Sequence, residues 1–159
     1  LNNAINLEPG YARAYRGRGI TYAKLGQHQR AIEDYNEAIR LKPDEFKTYY
    51  NRGFAYADLG KHQQAIENYD QALRLKPNEP SGYYLRGIAY AELGQFKEAI
   101  ENYSEAIRQK PDDADFYNDR GSSYLSLGNI SLGCSDIKKG CALGTCSRLE
   151  WAKTNKICR

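Results

Sequence analysis

Four cysteines offer the first chemistry in this 159-residue chain, and all of them lie within residues 134–159: Cys134, Cys141, Cys146 and Cys158. Their spacing lacks the close Cys-x-x-Cys pairs of most structural zinc sites, so we expect no metal. An even number in one short segment favours at least one disulfide, and four cysteines allow three connectivities. The alternative is four reduced thiols that fill a small core. Disulfides would indicate an oxidising compartment, periplasmic or secreted.

The two histidines give little support for catalysis. His28 and His62 lie 34 residues apart in similar surroundings, which is typical of a repeated turn and not of a general base or a metal pair. The sequence contains no Gly-rich phosphate loop, no His-Glu zinc motif and no nucleophile elbow. It therefore predicts a protein that is not an enzyme and needs no cofactor.

Four arginines recur at the same interval, each directly before a glycine: Arg18, Arg52, Arg86 and Arg120. A ladder of guanidinium groups could bind phosphates, and the chain carries a net charge of +3. That charge is too small to indicate a nucleic-acid partner. Because a residue repeated at one address usually serves the repeat itself, we interpret these arginines as structural. We expect them to pair with neighbouring carbonyls or with the repeated acids Glu33, Glu67 and Glu101.

The 34-residue interval extends through nearly the whole chain. Glycines follow the four arginines, tyrosines follow three residues later, and a Leu-Gly pair ends each segment at Gly26, Gly60, Gly94 and Gly128. Alanine, tyrosine and alanine then recur in the first three units, beginning with Ala31, Tyr35 and Ala38, and a proline closes each of these units, first at Pro43. Apolar residues three and four apart predict amphipathic helices. The absence of valine and the presence of only four threonines argue against strands.

This pattern resembles the tetratricopeptide repeat, a 34-residue unit of two antiparallel helices with Gly, Tyr, Ala and Pro at these spacings. The resemblance implies an all-α, right-handed α-solenoid of helix-turn-helix repeats, and we expect a C-terminal capping helix. No apolar stretch is long enough to span a membrane.

The repeat period divides the chain into six segments. We expect a second-helix remnant of an upstream repeat at 1–11, and full repeats at 12–45, 46–79 and 80–113. A degenerate repeat follows at 114–147, with Gly133 and Gly140 in place of two alanines, and a cap at 148–159. Within the cap, either Trp151 or Ala152 should face inward. We expect the chain to begin inside a longer array, and its truncated N-terminal helix would allow end-to-end self-association.

The resemblance implies that the first helix of each repeat lines a concave groove that holds a partner peptide. Mapping that face onto the sequence predicts these partner-binding residues: Arg13, Arg16, Ile20, Lys47, Tyr50, Asn51, Phe54, Tyr84, Leu85, Ile88, Asn118 and Asp119. The groove would change from basic through aromatic to acidic. Large aromatic side chains are typical binding hot spots, although several tyrosines could instead pack between repeats.

One family subclass binds a C-terminal carboxylate with a set of Lys, Asn and Arg side chains, and this chain matches it poorly. Asn51 fits and Arg16 could replace one lysine, but Ile20, Ser81 and Leu85 stand where polar or cationic donors are needed. We therefore predict an interaction scaffold or adaptor that binds a different protein or peptide. The alternatives are a nucleic-acid-binding helical repeat and the targeting module of a larger enzyme.

Overall fold

The computed structural model describes residues 10–158, and all regular structure within that range is helical. Nine helices occur there: α1 Ala12–Lys24, α2 His28–Leu41, α3 Phe46–Asp58, α4 His62–Leu75, α5 Pro80–Glu92, α6 Phe96–Gln109, α7 Ala114–Ser126, α8 Ile130–Ala142 and α9 Ser147–Thr154. The predicted all-α class is confirmed. The predicted remnant helix and the self-association that depends on it fall on residues 1–9, outside the described residues.

The repeated Leu-Gly pairs end the first helix of each hairpin. Gly26 has a φ of 72°, in the left-handed region where a side chain would be strained. The amide of the next residue, Gln27, donates to the carbonyl of Tyr22 at 2.9 Å, which is the long bond of a Schellman turn. The same bond follows Gly60, Gly94 and Gly128. The glycine therefore ends the helix and reverses the chain within two residues.

In the first three hairpins, the glycine of the first helix and the tyrosine of the second helix form one packing contact. A Cβ atom on Gly19 would lie only 2.6 Å from Cε1 of Tyr35, which is buried. The same close approach joins Gly53 to Tyr69 and Gly87 to Tyr103. Two helices can cross this closely only where one lacks a side chain. The repeated glycine and the repeated tyrosine of the sequence pattern therefore meet at one helix crossing.

Residue contacts divide the chain into two compact units, Leu1–Pro77 and Asn78–Arg159, which we call unit 1 and unit 2. In unit 1, α1 packs on α2, α2 on α3, and α3 on α4. In unit 2, α5 packs on α6, α6 on α7, α7 on α8, and α8 on the short helix α9. Successive helices within each unit therefore lie side by side, as expected for tandem hairpins.

The C-terminal cap is a small disulfide-bonded cluster on α8. Disulfides join Cys134 to Cys158, with their Cα atoms 5.5 Å apart, and Cys141 to Cys146, with theirs 4.0 Å apart. Ala152 of α9 is buried against the first pair, and Leu149 and Ile157 pack beside it. Trp151 faces outward and is 53% exposed, so Ala152 is the inward residue of the two alternatives.

No helix within residues 10–158 is both long enough and apolar enough to cross a bilayer.

Candidate functional site

The four repeated arginines are bound within the helical hairpins. Each donates from Nε to a side chain sixteen residues later, at 2.7–2.8 Å, and these acceptors are Asp34, Asn68, Asn102 and Asp136. The structural interpretation agrees with this geometry, but the expected partners were wrong by one residue. Glu33, Glu67 and Glu101 are exposed, because one step along the second helix turns them away from the arginines.

Two of these arginines also reach the preceding hairpin of their own unit. Arg52 donates to Asn36 at 2.7 Å, and Arg120 donates to Ser104 at 2.9 Å. The guanidinium of Arg120 lies 5.7 Å from the ring centre of Tyr117. An arginine that bridges two hairpins and stacks on a tyrosine holds the repeat together, and its donors are directed at protein groups.

Unit 1 contains a pocket of about 250 Å³ between α1, α2 and α3, which we call the unit 1 pocket. Its lining residues are Ile20, Ala23, Lys24, Tyr35, Tyr50, Asn51, Phe54 and Asp58. Four predicted partner-binding residues therefore meet in one place: Ile20, Tyr50, Asn51 and Phe54. Phe54 is 47% exposed although its neighbours are apolar.

The tyrosines of the unit 1 pocket are partly structural. Tyr35 is buried, and burial raises its pKa to about 12, so its hydroxyl stays protonated at physiological pH. Tyr50 packs edge-on against Tyr69 with ring centres 6.0 Å apart. Packing fixes both rings as rigid walls, whereas Phe54 keeps a free face.

The predicted basic residues at the start of the groove lie elsewhere. Arg13 and Arg16 line a separate pocket of about 360 Å³ beside Gly10 and Thr48. Arg16 lies 3.3 Å from Glu45, which neutralises much of its charge. Lys47 is exposed, with its ammonium 5.9 Å from the ring centre of Phe46. The structure does not bring these three cations to the unit 1 pocket.

Unit 2 contains a pocket of about 260 Å³, which we call the unit 2 pocket. Its lining residues are Ile88, Ala91, Glu92, Phe96, Tyr103, Asp119, Ser122, Ser123, Ser126 and Arg148. Ile88 and Asp119 were among the predicted residues. Leu85 is half-buried outside this lining.

Asp119 is the more buried of the two acids in the unit 2 pocket. Tyr84 donates to it at 2.7 Å and Arg148 at 3.0 Å. Burial raises the pKa of the Asp119 carboxyl, against the opposing effects of the Tyr84 hydrogen bond and the Arg148 charge. Tyr84 itself stacks on Phe116 with ring centres 4.7 Å apart, so it supports the pocket from behind.

Asn118 does not lie on the exposed face where we expected it. It is 4% exposed, and its amide donates to the carbonyl of Thr145 at 3.3 Å. The reason is Gly140: a Cβ there would lie 2.5 Å from Oδ1 of Asn118. The two helices of the degenerate hairpin therefore enclose Asn118, which stands at the repeat position of Arg16, Tyr50 and Tyr84.

Arg148 is a pocket residue that the repeat pattern could not predict. It belongs to the cap, outside the repeat pattern, so no periodicity placed it near α7. It stands two residues after Cys146, whose disulfide to Cys141 anchors the start of α9. The sequence feature that could have indicated its location is its position two residues after a cysteine that forms a disulfide. Among residues 10–158, no three His, Cys, Asp or Glu side chains are grouped closely enough to hold a metal ion.

Comparisons with known proteins agree with this geometry. The family model described as TPR repeat matches residues 21–60, 55–94 and 87–128. No functionally curated protein matches the chain by sequence.

Solved structures show the same fold. A crystal structure of MamA is 25% identical, covers 97% of this chain and 86% of its own, and superposes with a TM-score of 0.86. YrrB, described as a TPR protein with an unusual peptide-binding site, is 21% identical over 97% of this chain and 79% of its own, with a TM-score of 0.84. The first TPR domain of Spaghetti (RPAP3), bound to an HSP90 peptide, is 25% identical over 74% of this chain and 93% of its own, with a TM-score of 0.72. The match of the family model to most of the chain shows that this protein belongs to the tetratricopeptide repeat family.

Proposed function

We propose that this protein is a non-enzymatic interaction module that binds a peptide segment of a protein partner at the unit 1 pocket. The observation that carries the proposal is Phe54, a large apolar side chain left 47% exposed inside a concave, mostly apolar pocket. Exposed aromatic residues in pockets are the side chains that most often dominate the energy of protein binding.

The rest of the pocket suits an extended or helical peptide with one apolar anchor. Ile20 and Ala23 on α1 face Phe54 on α3 and form the apolar surface. The Asn51 amide can both donate to and accept from a peptide backbone. Lys24 and Asp58 provide opposite charges, which would favour one peptide direction. The RPAP3 domain, which shares this fold, was solved with a peptide bound, and this supports a peptide ligand here.

A peptide library displayed on phage and selected against the whole protein would test this proposal. We expect enriched sequences to share one large apolar residue. In fluorescence anisotropy, Phe54→Ala should weaken the binding of such a peptide about thirtyfold or more, because truncating a hot-spot side chain to alanine costs about 2 kcal/mol or more.

Leu25→Ala is the matched control for that experiment. Leu25 is exposed at the turn after α1, in the same unit, and lies outside the pocket. Its truncation should leave affinity unchanged. Failure to enrich any peptide, or equal binding by wild type and Phe54→Ala, would contradict the proposal.

A further inference from the structure

The unit 2 pocket differs in chemistry from the unit 1 pocket, because its polar groups are mostly hydrogen-bond acceptors. The hydroxyls of Ser122, Ser123 and Ser126 each donate to the helix carbonyl four residues earlier, at 2.9, 3.0 and 3.1 Å. Their hydrogens are used within α7, so only their lone pairs remain available to a ligand. A ligand rich in donors would satisfy them.

Two carboxylates add to this excess of acceptors. Glu92, the last residue of α5, is exposed at the pocket, and Asp119 on α7 lines it. An ionised carboxylate accepts hydrogen bonds and donates none. The charge of the pocket therefore favours a cation.

The protein itself places a guanidinium in this site. Arg148 donates from Nη2 to Oδ1 of Asp119 at 3.0 Å, while Tyr84 donates to the other oxygen. The Arg148 side chain is 43% exposed, so it can move towards solvent without opening the fold. Its contact shows that an arginine fits Asp119 in this geometry.

Apolar walls complete the pocket. Ile88 and Ala91 of α5 and the ring of Phe96 lie beside the acids, and buried Tyr103 forms the floor. Arginine and lysine bury their methylene stems on such surfaces while their charged ends reach polar groups. A guanidinium brings five donors in a planar fork, whereas an ammonium brings three from one point. The spread of acceptors favours arginine.

The equivalent position in unit 1 shows that this is a specific difference between repeats. Asn51 stands two repeat periods before Asp119 and lines the unit 1 pocket with a neutral amide. The unit 1 pocket also contains one lysine beside its one acid. A cation therefore gains less there.

We propose that the unit 2 pocket binds an arginine side chain of the partner peptide, with its guanidinium on Glu92 and Asp119 and its stem against Ile88 and Phe96. In the free protein Arg148 donates to Asp119, and the peptide arginine displaces it when the peptide binds. The identity of the ligand as a peptide rests on the function proposed above, whereas recognition of a guanidinium can be tested alone.

Chemical-shift titration of the ¹⁵N-labelled protein tests this proposal, with N-acetyl-arginine methylamide as the probe. We expect saturable shifts at the amides of Asp119, Ser122 and Ser126. The citrulline analogue, which has nearly the same shape and no charge, should give no saturable shift. Asp119→Asn should weaken arginine binding about tenfold or more, because it removes the charge of a largely buried acceptor.

Two surface variants keep the test independent of folding. Glu92→Gln, at an exposed position, should weaken the binding of the arginine probe. Arg148→Ala should strengthen it several-fold, because it removes a competitor, whereas a purely supporting role for Arg148 predicts weaker binding.

Equal shifts with arginine and citrulline, or unchanged affinity in both acid variants, would overturn the inference. If selected peptides depend on Phe54 while the arginine probe does not bind, only this inference fails. If the probe binds but no peptide is enriched, the proposed function fails instead.

Discussion

At the scale of single residues, the repeat signature consists of pairs that meet across a helix crossing. Each of the four repeated arginines donates to an Asp or an Asn sixteen residues later, and these acceptors are Asp34, Asn68, Asn102 and Asp136. A neutral amide oxygen thus serves as well as a carboxylate at this address, and Asn68 and Asn102 each return an N–H to a carbonyl of their own helix. What the site requires is an oxygen acceptor of this length; a negative charge is optional.

Gly87→Ala is a direct test of the glycine–tyrosine crossing. In an open helix this change would stabilise the protein by up to about 1 kcal/mol. Here the added Cβ would lie 2.7 Å from Cε1 of Tyr103, a ring only 2% exposed and unable to move aside. We expect the free energy of unfolding to fall by about 1–3 kcal/mol, measured by urea denaturation. A stability equal to or above wild type would show that the crossing is looser than the structure indicates.

At the scale of helices, the fourth hairpin departs from the others because its two helices pack by a different contact. A Cβ added to Gly133 would lie 2.5 Å from Cδ2 of Leu125. A Cβ added to Gly121 would lie 2.9 Å from the carbonyl oxygen of Gly133. The glycines that break the alanine pattern are therefore sites of close approach between α7 and α8. From sequence alone, glycine in place of alanine indicates only a lower helix propensity.

Helix α9 spans only Ser147–Thr154, and Ala152 is its one buried residue, so cross-links must contribute to its position. The Cys134–Cys158 bridge spans 24 residues and the Cys141–Cys146 bridge spans five. Loop-closure entropy assigns about 3.5 kcal/mol to the longer bridge and about 2 kcal/mol to the shorter. The longer bridge also packs directly against Ala152.

We therefore expect the double variant Cys134→Ser/Cys158→Ser to lose hydrogen-exchange protection throughout α9. The matched variant Cys141→Ser/Cys146→Ser should lose less. Exchange in α5, at the other end of unit 2, serves as the internal reference and should stay unchanged. Non-reducing mass spectrometry establishes the bridges first: four free thiols in quenched wild-type protein would contradict them, and equal protection of α9 in both variants would contradict their ranking.

At the scale of the whole molecule, charge is divided by position. Residues 1–133 contain 17 basic and 18 acidic side chains, whereas residues 134–159 contain six basic and two acidic ones. The net charge of +3 therefore comes from residues 134–159. The repeated arginines resemble a phosphate-binding ladder in the sequence, but they donate to Asp and Asn side chains inside the hairpins.

This distribution predicts that the protein does not bind single-stranded RNA in a salt-dependent manner. A protein that neutralises several phosphates loses affinity steeply as salt rises, and the few basic residues near the C-terminus can contact too few phosphates for that. Fluorescence anisotropy with a labelled single-stranded RNA at about 50 and 200 mM salt is the measurement, since a multi-phosphate binder loses orders of magnitude over that range. Tight binding at low salt that disappears at high salt would instead favour the nucleic-acid function.

The sequence by itself determined the helical repeat. Its 34-residue period, the Leu-Gly stops and the Ala-Tyr-Ala stripes fix where helices begin, end and bury their faces, because these are local or single-helix properties. It also placed Ile20 and Phe54 on one surface, since they stand one 34-residue period apart and residues at equivalent repeat positions share a face. Asn51 joins that surface because it lies three residues before Phe54 on the same helix.

Only the tertiary structure decided which side chain accepts the hydrogen bond of each arginine. It also decided that Asn118 is covered by the close approach at Gly140, and that Arg148 reaches Asp119. These outcomes depend on crossing distances and on a cross-linked cap that stands outside the period. A sequence pattern specifies the register along each helix, whereas a contact between helices also depends on the distance and angle at which they cross.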